Sequence, residues 1–553
     1  MQQNNPKEFY DVVIIGAGIS GLTSSALFSK ARISSCVLEM HNIAGGYLQG
    51  FERKGFKFDT AIHWLNDCGT NGFVTKTFKI IGSDYPKVNI QKNIRRFVNN
   101  DINYLITNNP DEFKKELISK FPEDTKGINK FFNAALKISK SFDSYLNLNR
   151  SLETRNIFSK TIYGLKMLKF AFAFIPHIKY KGKEGLENGL NKYSKNPEFH
   201  KIFSAENELL SCLVPIGWAY SSNFQNTPKG GSKSFTDWLL KSSKKMGGDI
   251  FFNSKVTEII TKNNKIEGIK FINKRELKEI KCKYVVAACD LESVYTEMLK
   301  TGIISSKQIK NLNNAEIYSS SVTVSIALNC SAEELGLGEE SIYLFDNKYD
   351  TKTLNEGDPH KSGIHILSPT VKDKSLAPEG KGIITLFMPA WIDNNSYWNC
   401  KKDENGNYIR SKEYRELKKE YAEILINRVQ NKISPNLKEH ILFYDVATPI
   451  TYLRYTNNKN GTMMGQRPGK ENMMNKVASY KTPVHNLLIS GHWADLGGGV
   501  PIAVKTALNT SLIIIQKENK KVFKLLANYV DGKKNINTLK TSKLLKHYDN
   551  SSE

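Results

Sequence analysis

Two hydrophobic patterns alternate along the chain. Val12 to Ile15 form an unbroken β-branched run, as in a strand buried on both faces of a parallel sheet. "GAGISG" follows, and then "LTSSALFSKA", which puts Leu22, Ala26 and Leu27 on one helical face. A second strand, "SSCVLEM", runs into Glu39. A glycine turn at Gly45 and Gly46 then leads to a hairpin around Lys54 and Gly55. The buried pattern returns far down the chain. "TPKGGSKSFTDWLLKSSKKM" reads as a loop broken by Pro228, Gly230 and Gly231, then an amphipathic helix beginning near Ser232 or Ser234. "DIFFNSKVTEII" and "GIKFINKRELKEIKCKYVVAACD" supply strands. Near the end, "HNLLISGHWADLGGGVPIAVKTALNTSLIII" gives strand, glycine turn and helix. Val500, Val504, Ala507 and Leu508 line one face, and Pro501 sits near the start, where its missing N–H does no harm.

The intervening stretches read differently. From Asp111 to Ser222 helical spacing dominates. Further on, "SSSVTVSIALNC" alternates like a half-buried strand, "GIHILSP" and "GIITLFMPAW" look like its sheet partners, and "SKEYRELKKEYAEILINRVQNKI" is a long amphipathic helix. The expected fold class is α/β. A Rossmann-type, dinucleotide-binding domain is assembled from separated segments, 1–85, 228–300 and 480–530, with an inserted α+β substrate domain from 86–227 and 301–479. The remainder, 531–553, is charged and reads as a partly helical, peripheral tail. A chain of 553 residues exceeds one compact core, which agrees with this division. No run of about 18 uncharged apolar residues marks a spanning helix.

The glycines carry the first chemistry. Gly16 permits a tight turn, Gly18 lets backbone approach a pyrophosphate, and Gly21 lets helix pack on strand, with Ala17 and Ser20 inside the turn. Glu39, followed by Met40, stands where a carboxylate accepts hydrogen bonds from ribose hydroxyls. A carboxylate there disfavours a 2′-phosphate, so the ligand is FAD or NAD, not NADP. The second bare turn at Gly45 and Gly46 suits a longer cofactor held from two sides, which favours FAD. The late turn, from Gly491 through Gly498, Gly499 and Val500, exposes N–H groups at a positive helix end, a place for the electron-rich edge of a flavin ring. Saturation of a double bond needs a proton donor beside the flavin. His63 and His492 are the weak candidates, each read more readily as a structural or surface histidine. Trp64 and Trp493 read either as walls for an apolar substrate or as core aromatics.

Charge and cysteines add the rest. The net charge is +24. Three readings compete: a solvated lysine-rich surface, attraction to anionic lipid, and attraction to nucleic acid, for which no module is visible. Residues 157–183, "IFSKTIYGLKMLKFAFAFIPHIKYKGK", bear on this. Ser159, Tyr163, Lys166, Lys169 and Ala173 form a narrow, weakly polar face, and Phe158, Ile162, Leu165, Leu168, Phe172 and Ile175 the remainder. Pro176 ends the pattern, and Lys179, Lys181 and Lys183 follow. This reads as a basic amphipathic helix on a lipid surface or beside an apolar channel, or as a buried helix of a helical subdomain. The seven cysteines are scattered, without a C-x-x-C pair or a His/Cys cluster, so neither a disulfide framework nor a metal site is expected. The N-terminus lacks the order of a signal peptide. The expected place is the cytoplasm, with peripheral association on the inner membrane face under the lipid reading. No oligomeric state follows.

The run of motifs "DVVIIGAGISGL", "LE", "AGGYLQGFERKGFKFDT", "PKGGSKSFTDWL", "ATPITYLRYT", "GTMMGQRP" and "LLISGHWADLGGGVPIAV" resembles the phytoene desaturase group of FAD-dependent oxidoreductases, which includes carotenoid isomerases and retinol saturase. The resemblance spans nearly the whole chain. It implies an oxidoreductase or isomerase acting on a long apolar polyene. It also implies that Val256 contacts adenine through its backbone, and that Asp495 and Gly498 to Val500 lie along the ribityl chain and flavin ring. Two positions depart from the pattern: Tyr47 stands where an Arg is usual, and Ala61 where a Gly is usual. Two other readings stay open within related folds, a flavin amine oxidase and a prenyl-carrying protein without flavin.

Overall fold

A computed structural model describes residues 5–61, 64–146, 149–204, 206–221, 224–404 and 406–548. Strand Phe9–Ile15 lies between Glu276–Ala287 and Ser35–Leu38, parallel to both. The sheet continues through Asp249–Phe251 on one side and the antiparallel strands Lys265–Asn273 and Ser254–Lys262 on the other. The short strand Leu487–Ile489 joins beside the C-terminal half of Glu276–Ala287. Helix Ile19–Lys30 packs between Lys233–Lys245 and Gly499–Glu518, and all twelve of its residues are buried. That burial explains its small residues Ser24, Ser25 and Ala26; Ser25 Oγ meets Ser243 Oγ of the neighbouring helix at 2.7 Å. Gly499–Glu518 is long and apolar enough to cross a membrane, yet most of it is buried in this core.

A second seven-stranded sheet takes Asn93–Val98 and Asn103–Thr107 from one insertion and five strands, beginning with Ser320–Leu328, from the other. A parallel pairing of Ser341–Leu344 with Asn93–Val98 joins the two contributions. Helices Thr125–Leu146 and Leu209–Ala219 pack together in a separate aromatic-rich core. The α/β class expected from the sequence is the fold observed.

Two details differ from expectation. Ser320–Leu328, read as half-buried, is buried at every position. Its hydroxyls face protein instead of water: Ser320 Oγ donates to Gly461 O at 2.6 Å and Ser321 Oγ to Met388 O at 3.0 Å. Small hydroxyl residues alternate with apolar ones in such a strand whether their partner is solvent or backbone. The charged tail, in turn, is anchored. Asp531 accepts Arg150 Nη2 at 2.6 Å, Leu539 and Leu545 are buried in the first core, and Tyr548 Oη donates to Asp84 Oδ1 at 2.8 Å. Two widely spaced leucines in a lysine-rich stretch do not register as a hydrophobic face.

Candidate functional site

The first glycine turn opens into a cavity of about 1270 Å³. Gly16, Gly18 and Ser20 line it, and apart from the adjoining residues no described atom lies within 4 Å of where a Gly18 Cβ would stand. Gly21 faces the other way: a Cβ there would sit 2.0 Å from Gly16 O, so glycine lets the helix meet the strand. No side chain caps the Ile19–Lys30 helix, and its first N–H groups are left for a ligand. Ala17 does not line the cavity; its N–H donates to Glu39 Oε2 at 2.7 Å, while His41 N–H donates to Oε1 at 2.9 Å. Glu39 is thereby aimed, and each oxygen keeps lone-pair capacity for a hydroxyl. Met40, Gly45, Gly46 and Val256 also line the cavity. Gly45 N–H donates to Ala17 O at 2.9 Å, which clasps the second turn to the first, and its φ of +129° is open only to glycine.

The late turn reaches the same cavity through Gly491, His492, Gly498, Gly499 and Val500. Ser20 and Ser490 hydroxyls meet at 2.7 Å and tie the two turns together. Helix Gly499–Glu518 also starts without a side-chain cap, so two positive helix ends share one space. The segment holding "GTMMG" lies against this turn: a Cβ on Gly498 would stand 2.0 Å from Met464 Sδ. Tyr47 explains its departure from the usual Arg. Its hydroxyl bonds to Thr462 O and accepts Asn458 Nδ2 at 3.0 Å, fastening that segment to the second glycine turn, and burial pushes its pKa up to about 12. The FAD-like dinucleotide expected from the motifs therefore fits the residues present.

Two expected site residues take other roles. Asp495 does not line the cavity; its carboxylate pairs with Lys505 Nζ at 2.8 Å and accepts Tyr480 Oη at 3.1 Å. The sequence gives no sign of Lys505, which arrives on the second turn of the following helix. His492 lines the cavity, but burial pushes its pKa down to about 4. Its Nε2 lies 3.4 Å from Gly499 O, which can only accept, so the neutral ring keeps Nδ1 as an acceptor. That state does not suit the proton donor expected from the sequence. The other candidate, His63, lies outside the described residues.

Beyond the glycines the cavity passes over the second sheet. Register places Tyr343 opposite His365 and His365 opposite Phe387. The rings of Tyr343 and His365 stand 4.6 Å apart, and those of His365 and Phe387 lie 4.6 Å apart and nearly parallel, at 6°. Trp64 adjoins Phe387 at 6.1 Å, and Trp218 faces the space from the helical layer. Trp493 lines the cavity too and is almost fully buried. Sequence reasoning missed His365, Phe387 and Trp218, and it missed Asp290. This buried carboxylate accepts Lys459 N–H at 2.9 Å and Glu292 N–H at 2.9 Å, and burial raises its pKa. Its only signal was its place directly after the strand "YVVAAC".

Residues 14–80 match the NAD(P)-binding Rossmann-like domain family. Among curated proteins, the chain is 26% identical over 475 residues to prolycopene isomerase, chloroplastic, of Arabidopsis thaliana, covering 83% of this chain and 75% of that protein. It is 23% identical to all-trans-retinol 13,14-reductase of Danio rerio, with 92% and 86% covered. It is 20% identical to the lycopene-forming phytoene desaturase of Pantoea ananas, with 91% and 98% covered. Among solved structures it superposes on an oxidoreductase from Methanosarcina mazei, with TM-score 0.56, 17% identity and 90% and 98% coverage. A putrescine oxidase bound to putrescine gives TM-score 0.56 at 12% identity, with 92% and 100% covered. Joined to a cavity that runs from two glycine turns to an aromatic floor, these likenesses make the chain a relative of the phytoene desaturase, carotenoid isomerase and retinol saturase group, and an enzyme of the flavin-dependent oxidoreductase or isomerase kind.

Proposed function

We propose that this enzyme binds FAD and acts on carbon–carbon double bonds of a long apolar polyene, carotenoid- or retinoid-like, as desaturase, saturase or cis–trans isomerase. The observation that carries the reading is the single cavity shared by both glycine turns and the stacked His365–Phe387 ring pair, which Tyr343 backs from behind. Its volume, about 1270 Å³, exceeds the few hundred to about 1000 Å³ typical of one small ligand. When bound, the flavin supplies a site, N5, that gives or takes a hydride.

The chain's own residues then have separate tasks. The N-terminus of Ile19–Lys30 and the backbone of Gly18 receive the pyrophosphate, and Glu39 receives the ribose hydroxyls. The N-terminus of Gly499–Glu518 places positive potential where a reduced flavin gathers negative charge. Neutral His492 offers Nδ1 as an acceptor at this turn. The flat rings of His365 and Phe387, with Trp64 and Trp218, give a conjugated chain a dry, planar bed and keep water from the reacting bond.

Purified protein supplied with FAD is expected to retain it and to show a flavin spectrum in the visible. After anaerobic reduction and addition of a polyene, product mass reports the reaction: two hydrogens gained mean saturation, and an unchanged mass with a shifted spectrum means isomerisation. Two hydrogens lost from a polyene given to the oxidised enzyme mean desaturation. Failure to take up flavin overturns the proposal, as does peroxide release with amines alongside inertness toward polyenes.

A further inference from the structure

Helix Ile157–Phe172, with the turn Ile175–Ile178 behind it, has two apolar sides and no buried residue. Its outer side is open to solvent among the described residues: Phe158, Leu165, Leu168 and Phe172 are 76, 63, 58 and 67% exposed. Its inner side differs. Met167 and Phe170 line the cavity, as does Phe174 beyond the helix end, and Ser141 Oγ holds Phe170 O at 3.0 Å. The helix is thus one wall thick between the cavity and the outside.

Charge marks what covers the outer side. From Arg155 to Lys183 the chain carries seven Lys or Arg and neither Asp nor Glu. Six of the seven, Lys160, Lys166, Lys169, Lys179, Lys181 and Lys183, are exposed around the apolar row. A helix of 16 residues is about 24 Å long, short of the roughly 30 Å hydrocarbon core, and its lysines oppose insertion across it. An apolar row edged by lysines suits the plane between headgroups and acyl chains of an anionic bilayer.

We propose that Ile157–Ile178 is a lipid-docking wall selective for anionic membranes, and that it opens the cavity toward the acyl chains. The docking stands by itself; the delivery of substrate through this wall rests on the polyene reading above. Lipid takes the outer row, and the inner row, Met167, Phe170 and Phe174, passes an apolar molecule to the space between it and Trp218 without a crossing through water.

Vesicle flotation of the full chain tests the docking. The parent is expected to float with mixed phosphatidylglycerol–phosphatidylcholine vesicles, to float far less with pure phosphatidylcholine, and to be released by salt. Replacing Phe158, Leu165 and Phe172 together by Ser is expected to lower binding by more than about tenfold, with the flavin spectrum and melting temperature unchanged. Replacing Lys166, Lys169 and Lys179 by Gln is expected to erase the lipid preference. A parent that stays unbound, or a Ser variant that still floats, overturns the proposal. So does a parent dimer that the Ser variant turns into monomer without any vesicle binding, since the face then meets a second copy. For delivery, turnover is compared with polyene in vesicles and in detergent micelles. The Ser variant is expected to lose turnover only with vesicles; equal loss in both overturns the route. A parent inactive in both overturns the polyene reading while flotation still decides the docking.

Discussion

Gly21, His492 and Asp59 show how single groups are set by what lies behind them. A methyl at Gly21 would stand 2.0 Å from Gly16 O, a backbone atom that cannot rotate away. G21A is therefore expected to cost about 1–3 kcal/mol and to weaken flavin retention, read by thermal melting and by the flavin spectrum. His492 titrates near 4 in the fold against 6.5 when free, so the unfolded chain takes up its proton first. Stability from this residue is present above pH 6.5 and is lost as pH falls toward 4. Relative to H492Q, the parent is expected to lose roughly 2–4 °C of melting temperature over that window. Asp59 has the opposite sign. Burial, with Asp373 nearby, raises it from 3.8 to about 6 against two bonds from Ser232. Acidification from pH 6 toward 4 is expected to raise the parent's melting temperature relative to D59N. Equal slopes in the parent and the two variants would refute both assignments.

At the scale of elements, the motifs quoted from the sequence turn out to be parts of one another. Asp59 of "FDT" accepts Ser232 N–H at 2.8 Å and Ser232 Oγ–H at 2.6 Å, so it sets the start of the helix in "PKGGSKSFTDWL". Tyr452 of "ATPITY" donates to Thr323 Oγ1 at 2.7 Å and lies 3.2 Å from Thr60 O. The turns were legible because a strand, a glycine and a helix start are neighbours in sequence. The aromatic floor was not, because Tyr343, His365 and Phe387 meet only through strand register. Asp495 turns to Lys505 and Tyr480 and not into the cavity, and a carboxylate beside a glycine turn does not reveal in sequence which way it points. Glu39, expected at the ribose, lines the cavity, and its backbone donors sharpen the expectation. In E39Q, one amide nitrogen must face the N–H of Ala17 or His41. Flavin affinity, measured by fluorescence titration, is expected to fall at least about tenfold, or 1.4 kcal/mol.

For the whole molecule, order in space and order in sequence diverge. Arg150, in the segment between two helices of the insertion, pairs in two-pronged fashion with Asp531 near the end of the chain, at 2.6 and 3.1 Å, with both groups largely buried. Removing one partner leaves a charge stranded, so D531A is expected to destabilise by about 3–5 kcal/mol in denaturant melts. The interleaving also has a consequence in time. The sheet that begins at Phe9 is completed by Leu487–Ile489, and the cavity closes only with the helix after it. At about 5–20 residues per second, a ribosome needs roughly 25–100 s to travel from the first glycine turn to the last. A nascent chain must shelter its unfinished first sheet for that whole interval, and cofactor capture becomes one of the final acts of its birth.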